Sequence, residues 1–223
     1  MTFSLRPLKT ADLSRVAEIE RNAFPTFWPR TAFKREMQNR RIAYLVATRQ
    51  LSPDEMEEQK SKPPPPAKKS LPKRLLKRFS GRLRAKTPPG EPPLDTPLGF
   101  VSIWFLPDEA HITAIAVDEN WRGKGLGELL LIGAMEAAML KNTRVVTLEV
   151  RVSNATAISL YEKYGFRRVG VRKGYYTDNR EDAAIMTTEL IHSPIYQQKF
   201  TDLREAYFQR RGSVEMTLGI KEA

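Results

Sequence analysis

The stretch that most constrains the fold of this chain is residues 112–131, ITAIAVDENWRGKGLGELLL. It begins with β-branched and small residues that predict a strand, and it ends with apolar residues that predict a helix. Between them lies a loop with the glycines Gly123, Gly125 and Gly127. Glycine lets the backbone approach a ligand closely, and the first amides of a helix converge on phosphate oxygens because they have no intrahelical acceptor. The stretch therefore predicts an anion-binding loop.

Three phosphate-binding loops compete for this sequence. A P-loop requires G-x-x-x-x-G-K-S/T, which the chain does not supply. The dinucleotide fingerprint requires G-x-G-x-x-G, and these glycines are spaced differently, although Glu149 lies near the distance expected for a ribose-binding acid. The third loop, R-x-x-G-x-G, is matched position for position by Arg122, Gly125 and Gly127. A glycine-relaxed turn without a ligand is the structural alternative.

The R-x-x-G-x-G loop resembles that of the acetyl-CoA-dependent N-acetyltransferases of the GNAT superfamily. The sequence LEVRVSNATAISLYEKYGF at 148–166 resembles the second half of the same core. With GYYTDNREDAAIM at 174–186, the chain resembles most closely the ribosomal-protein-alanine N-acetyltransferases. The resemblance is strong over 98–190 and weak over 3–49, and residues 177–180 are compressed relative to the family pattern.

The resemblance implies an α/β (α+β) fold in which helices flank a mixed, mostly antiparallel sheet. It implies acetyl transfer from acetyl-CoA to the N-terminal alanine of a small-subunit ribosomal protein. Glu149 matches the catalytic base of the family and Tyr161 matches its acid. The implied acetyl-CoA-binding residues are Ile115, Ala116, Val117, Arg122, Gly123, Lys124, Gly125, Leu126, Gly127, Glu128, Asn154 and Tyr161.

The residues favour this chemistry by themselves. An amine that attacks a thioester must lose a proton, and the intermediate must expel a thiolate, so one base and one acid suffice. Glu149 lies in the middle of a predicted strand, where glutamate is unfavourable. The phenol of Tyr161 has an ordinary pKa of about 10, above the value of about 8.5 for a thiol. Two structural alternatives stay open: Glu149 pairs with Arg151 at the sheet surface, and Tyr161 is a core residue.

The pKa of the acceptor amine helps to distinguish between possible acceptors. An α-amino group with a pKa of about 7.7–8.0 is roughly a tenth neutral at pH 7, whereas the neutral fraction of a lysine side chain, with a pKa of about 10.4, is far smaller. A single carboxylate base is therefore adequate for a protein N-terminus. The first alternative is a GNAT enzyme that acetylates lysine, a polyamine or another small amine. The second is an inert fold that only binds, which the presence of both Glu149 and Tyr161 disfavours.

Composition excludes several kinds of site. The 223 residues include no cysteine, which removes thiol nucleophiles, thiolate metal ligands and disulfides and favours a reducing compartment. The two histidines, His111 and His192, are interpreted as ordinary surface or packing residues, and no metal site is expected. The chain begins without a signal pattern and has no run of the ~18 apolar residues that a spanning helix needs. We therefore expect a cytoplasmic protein without a transmembrane segment.

The composition changes abruptly in residues 51–97, which hold eleven of the sixteen prolines. This predicts a disordered insertion or linker between two parts of one domain, 1–50 and 98–191, with a C-terminal extension at 192–223. Residues 60–86 contain eleven Lys or Arg and no acid, which indicates contact with the ribosome, RNA or an anionic membrane. A solvated basic spacer is the alternative.

Apolar periodicity and turn residues predict seven strands and four helices. The predicted strands are 3–8, 41–48, 98–106, 110–117, 145–150, 166–170 and 183–190. The predicted helices are 10–24, a short helix from Thr31, 125–141, and one that Asn154 caps and Gly165 ends. The aromatic turn FPTFWP at 24–29 either lines a substrate groove or plugs the core.

Overall fold

A single eight-stranded sheet organises residues 2–24, 30–50, 94–212 and 214–220, the part of the chain that the computed structural model describes. Its spatial order is β6-β7-β5-β4-β3-β2-β1-β8. The strands are β1 Thr2–Pro7, β2 Ile42–Gln50, β3 Pro97–Phe105, β4 Glu109–Val117, β5 Val145–Arg151, β6 Phe166–Tyr176, β7 Glu181–Thr188 and β8 Glu215–Met216. The helices are α1 Leu13–Ala23, α2 Phe33–Glu36, α3 Leu126–Leu140, α4 Ala155–Lys163 and α5 Pro194–Arg211.

The sheet is mixed. The neighbouring strands are antiparallel except for two parallel pairs, β4 with β5 and β1 with β8. A parallel pair needs a crossover connection, and α3 provides it between β4 and β5. A bulge lies in β4, where Ser102 faces Ala114 and Ile103 faces Ile112, so that Thr113 is the extra residue. The expected mixed, mostly antiparallel α/β fold is confirmed.

Helices cover both faces of the sheet because successive side chains of a buried strand point to opposite sides. In β2, Leu45 and Ala47 belong to the core cluster that includes α3. Tyr44 and Val46 belong to a second cluster with residues of α1 and α2. All four are buried, as the nearly continuous apolar sequence of β2 requires.

Helix α3 is apolar almost all round, and it is buried almost all round. Its inner face packs on β2, β3 and β4. Its outer face is covered by α5, which contributes Tyr196, Phe200 and Tyr207 to the same core cluster. Leu140 is 38% exposed because it is the last residue of the helix.

The C-terminal residues, for which the sequence predicted no element, pack on the rest of the domain. The Tyr196 hydroxyl donates to the Tyr164 carbonyl over 2.7 Å, and Arg204 forms an ion pair of 2.9 Å with Glu136 of α3. Strand β8 then adds to the sheet beside β1. The sequence missed this helix because its apolar residues are few, so α5 depends on burial against α3.

The predicted elements are present, with shifted ends. Helix α1 ends at Ala23, one residue before its predicted end, and it begins at Leu13, after a 3-10 turn at Thr10–Asp12. The Asp12 carboxylate accepts from the Lys9 N–H over 2.8 Å and closes this turn. Strand β6 extends beyond its predicted end, 170, to Tyr176 because it forms a long hairpin with β7.

Two expectations lie outside the described residues. They are the aromatic turn, of which residues 25–29 are not described, and the disordered basic insertion, of which residues 51–93 are not described. The helices that the structure does describe include none with both the length and the apolar sequence needed to cross a membrane.

We predict opposite effects for alanine at two glycines of α3. A Cβ at Gly133 would lie 2.1 Å from Leu5 Cδ2, so Gly133→Ala should lower the free energy of unfolding by about 1–3 kcal/mol through overpacking. A Cβ at Gly127 would meet no atom within 4 Å. Gly127→Ala should therefore raise the free energy of unfolding by up to about 1 kcal/mol, because alanine has a higher helix propensity than glycine. Urea denaturation of both variants measures this. Equal effects would contradict the packing described for α3.

Candidate active site

A cleft opens where β4 and β5 diverge. The two strands pair only over residues 109–112 and 145–148. Beyond this point they separate around a cavity of about 510 Å³. One wall is the second half of β4, and the other consists of residues from β5, α4 and the end of β6. The bulge at Thr113 lies at the start of this divergence and bends β4 locally.

The second half of β4 offers a free strand edge to this cleft. Ile115, Ala116 and Val117 pair with β3 on one side and line the cavity on the other. Alternate backbone amides and carbonyls of a strand point to each side. An extended ligand that carries amide groups can therefore bind along this edge as an added strand would.

The glycine loop, residues 122–125, leads from this edge to the start of α3. Gly123 and Gly125 have φ values of +73° and +86°, which favour glycine. The Leu129 N–H donates to the Gly125 carbonyl over 3.0 Å, so the amides of residues 126–128 precede the first helical bond and have no acceptor within α3. The loop has the anion-binding geometry expected from the sequence.

Positive charge flanks the glycine loop. Arg122 lines the cleft, and its Nε donates to the Val117 carbonyl over 3.3 Å. The Lys124 ammonium lies 4.1 Å from the centroid of the Trp121 ring. Both charges lie beside the start of α3, where the helix dipole already favours an anion.

Glu149 points from β5 into the cleft, and two basic residues hold its carboxylate. Oε2 lies 3.0 Å from His111 Nε2, and Oε1 lies 3.0 Å from an Arg172 guanidinium nitrogen. The hydrogen bond from His111 and the charges of both partners lower the pKa of Glu149, although burial alone would raise it. The carboxylate is therefore ionised at neutral pH.

Neither partner of Glu149 was expected from the sequence. His111 was interpreted as a packing or surface residue, and the pairing considered for Glu149 was with Arg151. In the sheet, His111 lies on β4 opposite Thr147, two residues before Glu149. Arg172 reaches Glu149 from β6, across the intervening strand β7. Strand register between distant segments sets both contacts, and the sequence does not display that register.

Arg151 instead fixes the β6–β7 turn. Its Nη2 donates to both carboxylate oxygens of Asp178 over 2.9 Å, and its Nη1 forms an ion pair of 3.0 Å with Glu181. Its guanidinium also stacks on Tyr176, 3.9 Å from the ring centroid. Burial raises the pKa of Tyr176 to about 12. This network holds the compressed segment 177–180 next to the cleft.

Tyr161 lies on α4 in the opposite wall of the cleft from β4. It is 9% exposed, and its ring centroid is 5.7 Å from that of Phe166. Burial raises its pKa, so the phenol keeps its proton at neutral pH. Asn154 starts α4 as predicted, with its side-chain oxygen accepting from the Ala157 N–H over 3.2 Å. Its amide group can still donate to a ligand in the cleft.

The chain is similar to known proteins in sequence and in fold. Residues 48–166 match the model of the Acetyltransferase (GNAT) family. A protein of Bacillus subtilis (strain 168) with the provisional name ribosomal protein bS18-alanine N-acetyltransferase is 33% identical over 184 residues, which are 82% of this chain and 93% of that protein. The chain belongs to the GNAT acetyltransferase family. It is therefore an acyltransferase, which confirms the expected class of enzyme and removes the dinucleotide alternative.

Two further comparisons involve Escherichia coli. The ribosomal protein bS18-alanine N-acetyltransferase of strain K12 is 46% identical over 81 residues, which are 35% of this chain and 55% of that enzyme. The crystal structure of the ribosomal-protein-S18-alanine N-acetyltransferase superposes with a TM-score of 0.59 at 26% identity. That match covers 85% of this chain and 94% of the other. The resemblance stated from the sequence is thus confirmed at the level of the family and its fold.

The structure of this GNAT domain brings the site residues together in two groups. Six of them line the cleft with Glu149: Ile115, Ala116, Val117, Arg122, Asn154 and Tyr161. The others form the glycine loop and the first turn of α3: Gly123, Lys124, Gly125, Leu126, Gly127 and Glu128.

Leu126 and Glu128 can offer a ligand only their backbone amides. The Leu126 side chain is buried, and the Glu128 carboxylate accepts from Lys163 and Tyr164. In the described part of the chain, no three acidic or histidine side chains converge as metal ligands.

The lowered pKa of Glu149 predicts a pH-dependent contribution to stability. A carboxylate whose pKa is lowered by folding stabilises the fold above its ordinary value, 4.5, and this stabilisation is lost as the pH falls through the folded-state pKa. The difference in free energy of unfolding between the parent and Glu149→Gln should therefore be largest above pH 4.5 and should shrink in more acidic solution. Urea denaturation from pH 3 to 6 tests this, with the exposed Glu119→Gln as the control. A difference that does not vary with pH would contradict the ion pairs of Glu149.

Proposed function

We propose that this enzyme transfers the acetyl group of acetyl-CoA to the N-terminal α-amino group of a protein, and that the acceptor is the N-terminal alanine of a small-subunit ribosomal protein. The observation that carries the proposal is a single cleft with an ionised carboxylate and a protonated phenol, which continues into an anion-binding loop. The names of the Bacillus subtilis and Escherichia coli relatives support the acceptor. A ribosomal acceptor places the proposed reaction in the cytoplasm.

The two groups of site residues would bind different parts of acetyl-CoA. The amides at the start of α3, with Arg122 and Lys124, would hold the phosphates. The free edge of β4 at Ile115, Ala116 and Val117 would bind the amide-containing pantetheine arm as an added strand. This arrangement directs the thioester towards the part of the cleft that contains Glu149 and Tyr161.

Glu149 acts on the attacking amine. His111 and Arg172 keep its carboxylate ionised, and a lowered pKa makes it a weak base. Glu149 is therefore suited to orient the amine and to accept its proton transiently, directly or through water, before the proton is released to solvent. A weak base is sufficient for an α-amino group, because roughly a tenth of such groups are already neutral at pH 7.

Tyr161 acts on the leaving group. When the tetrahedral intermediate collapses, the sulfur of CoA leaves as a thiolate. The ordinary pKa of a thiol, about 8.5, is below that of a phenol. The raised pKa of Tyr161 therefore favours hydrogen-bond donation to the thiolate over complete proton transfer, and this donation stabilises the charge as it develops.

Removal of either group should slow turnover without preventing acetyl-CoA binding. Glu149→Gln and Tyr161→Phe should each lower kcat by roughly 100-fold or more, the low end for lost acid–base catalysis, with a small change in the Kd for acetyl-CoA. Tyr196→Phe is the matched control because it also removes a buried tyrosine hydroxyl, but outside the cleft. Near-normal kcat in both cleft variants, measured at saturating peptide, would overturn these assignments.

The same assay separates the proposed acceptor from the alternatives. Mass spectrometry should detect acetylation of a peptide with a free N-terminal alanine, and no acetylation when that amine is blocked and an internal lysine is offered. Rapid acetylation of the blocked peptide or of a polyamine would instead support the alternative GNAT activity on other amines.

The basic segment at 60–86 is proposed to bind an anionic partner, namely the ribosome, RNA or an anionic membrane. The described ends of the insertion are close, because the Asp95 N–H donates to the Arg49 carbonyl over 3.2 Å. A short Gly/Ser link in place of residues 51–93 should therefore join β2 to β3 at little cost in stability.

We predict that this deletion leaves acetylation of a free peptide nearly unchanged and weakens co-sedimentation with ribosomes, RNA or anionic vesicles at low salt. Equal sedimentation of parent and deletion with all three would identify the segment as a spacer. Loss of peptide turnover would show that the segment completes the active site.

A further inference from the structure

Helix α5 lies beside α3 in the opposite direction. Arg204 of α5 forms an ion pair of 2.9 Å with Glu136 of α3. Arg210, which follows Arg204 in α5, forms an ion pair of 3.3 Å with Glu128, which precedes Glu136 in α3. The C-terminal end of α5 therefore reaches the N-terminal end of α3, where the glycine loop lies. Tyr207 fixes this end because its ring is fully buried.

Arg211, the last residue of α5, lies directly against the loop. A Cβ built on Gly125 would be 2.9 Å from Arg211 Nε and 3.3 Å from its guanidinium carbon. Arg211 itself is exposed. The guanidinium therefore lies at the start of α3, next to amides that have no acceptor within the helix.

The three arginines of α5 differ in their partners. Arg204 is paired with Glu136, and Arg210 is held by Glu128 and by the Ala206 carbonyl of its own helix. Among the residues that the structure describes, Arg211 has no hydrogen-bond or ion-pair partner. A cation in the last turn of a helix also offsets the helix dipole, and that role would affect stability alone. The position of Arg211 at the glycine loop indicates a further role.

We propose that Arg211 binds a phosphate group of acetyl-CoA, as a third cation of the site beside Arg122 and Lys124. The proposal rests on the proposed use of acetyl-CoA, and it assigns to the C-terminal residues a part in co-substrate binding. The planar guanidinium suits this role because it donates two parallel hydrogen bonds to one phosphate. The family match ends at residue 166, so this contribution comes from outside the matched segment.

Calorimetry of acetyl-CoA binding to the full chain tests the proposal. Arg211→Ala should raise the Kd by about 5- to 10-fold, between the effects of an exposed ion pair and of a charge-assisted hydrogen bond, and should leave kcat unchanged at saturating acetyl-CoA. Arg211→Lys should recover part of the affinity because it keeps the charge without the bidentate geometry. The matched control is Arg204→Ala, which removes an arginine of the same helix and should leave the Kd unchanged.

Comparison of acetyl-CoA with its 3′-dephospho form identifies the phosphate. If the effect of Arg211→Ala disappears with the dephospho form, the contact is to the 3′-phosphate; if it persists, the contact is to the diphosphate. Either result supports the proposal. A Kd for Arg211→Ala within twofold of the parent overturns it and leaves the proposed function intact, whereas a parent that does not bind acetyl-CoA overturns both.

Discussion

The burial of α3 on two sides is the constraint on which the rest of the structure depends. An apolar helix of this kind must be covered by a sheet on one face and by another element on the other. The sheet alone covers only the inner face, and α5 completes the enclosure. Because α3 also connects the parallel strands β4 and β5, its packing determines where these strands lie and where its N-terminus meets the glycine loop.

The divergence of β4 and β5 forms the cleft of the candidate active site. A continuous sheet would use the backbone groups of Ile115 to Val117 for pairing, whereas the separated strands leave one edge available to a ligand. The same geometry places Glu149 near a histidine and an arginine from two other strands. Two partners outweigh the cost of burying its charge, which is why its pKa falls although it lies in the sheet.

Helix α5 has a structural role and, in our proposal, a functional one. Its aromatic residues are buried against α3, so its own position is determined by the core. Once it is held antiparallel to α3, its last turn must lie at the glycine loop. A residue near the end of the chain thereby comes close to a loop about 85 positions earlier in the sequence.

The sequence by itself determined the features that depend on neighbouring residues. The glycine loop, the Asn154 cap and the Gly165 helix end follow from local backbone and side-chain preferences, and the R-x-x-G-x-G and LEVRVSNATAISLYEKYGF stretches indicated the family. Only the tertiary structure decided the partners of Glu149, the role of Arg151 at the β6–β7 turn and the position of α5. The physical reason is that strand register and helix packing join residues far apart in the chain, and these contacts are specified by the whole core rather than by any local pattern.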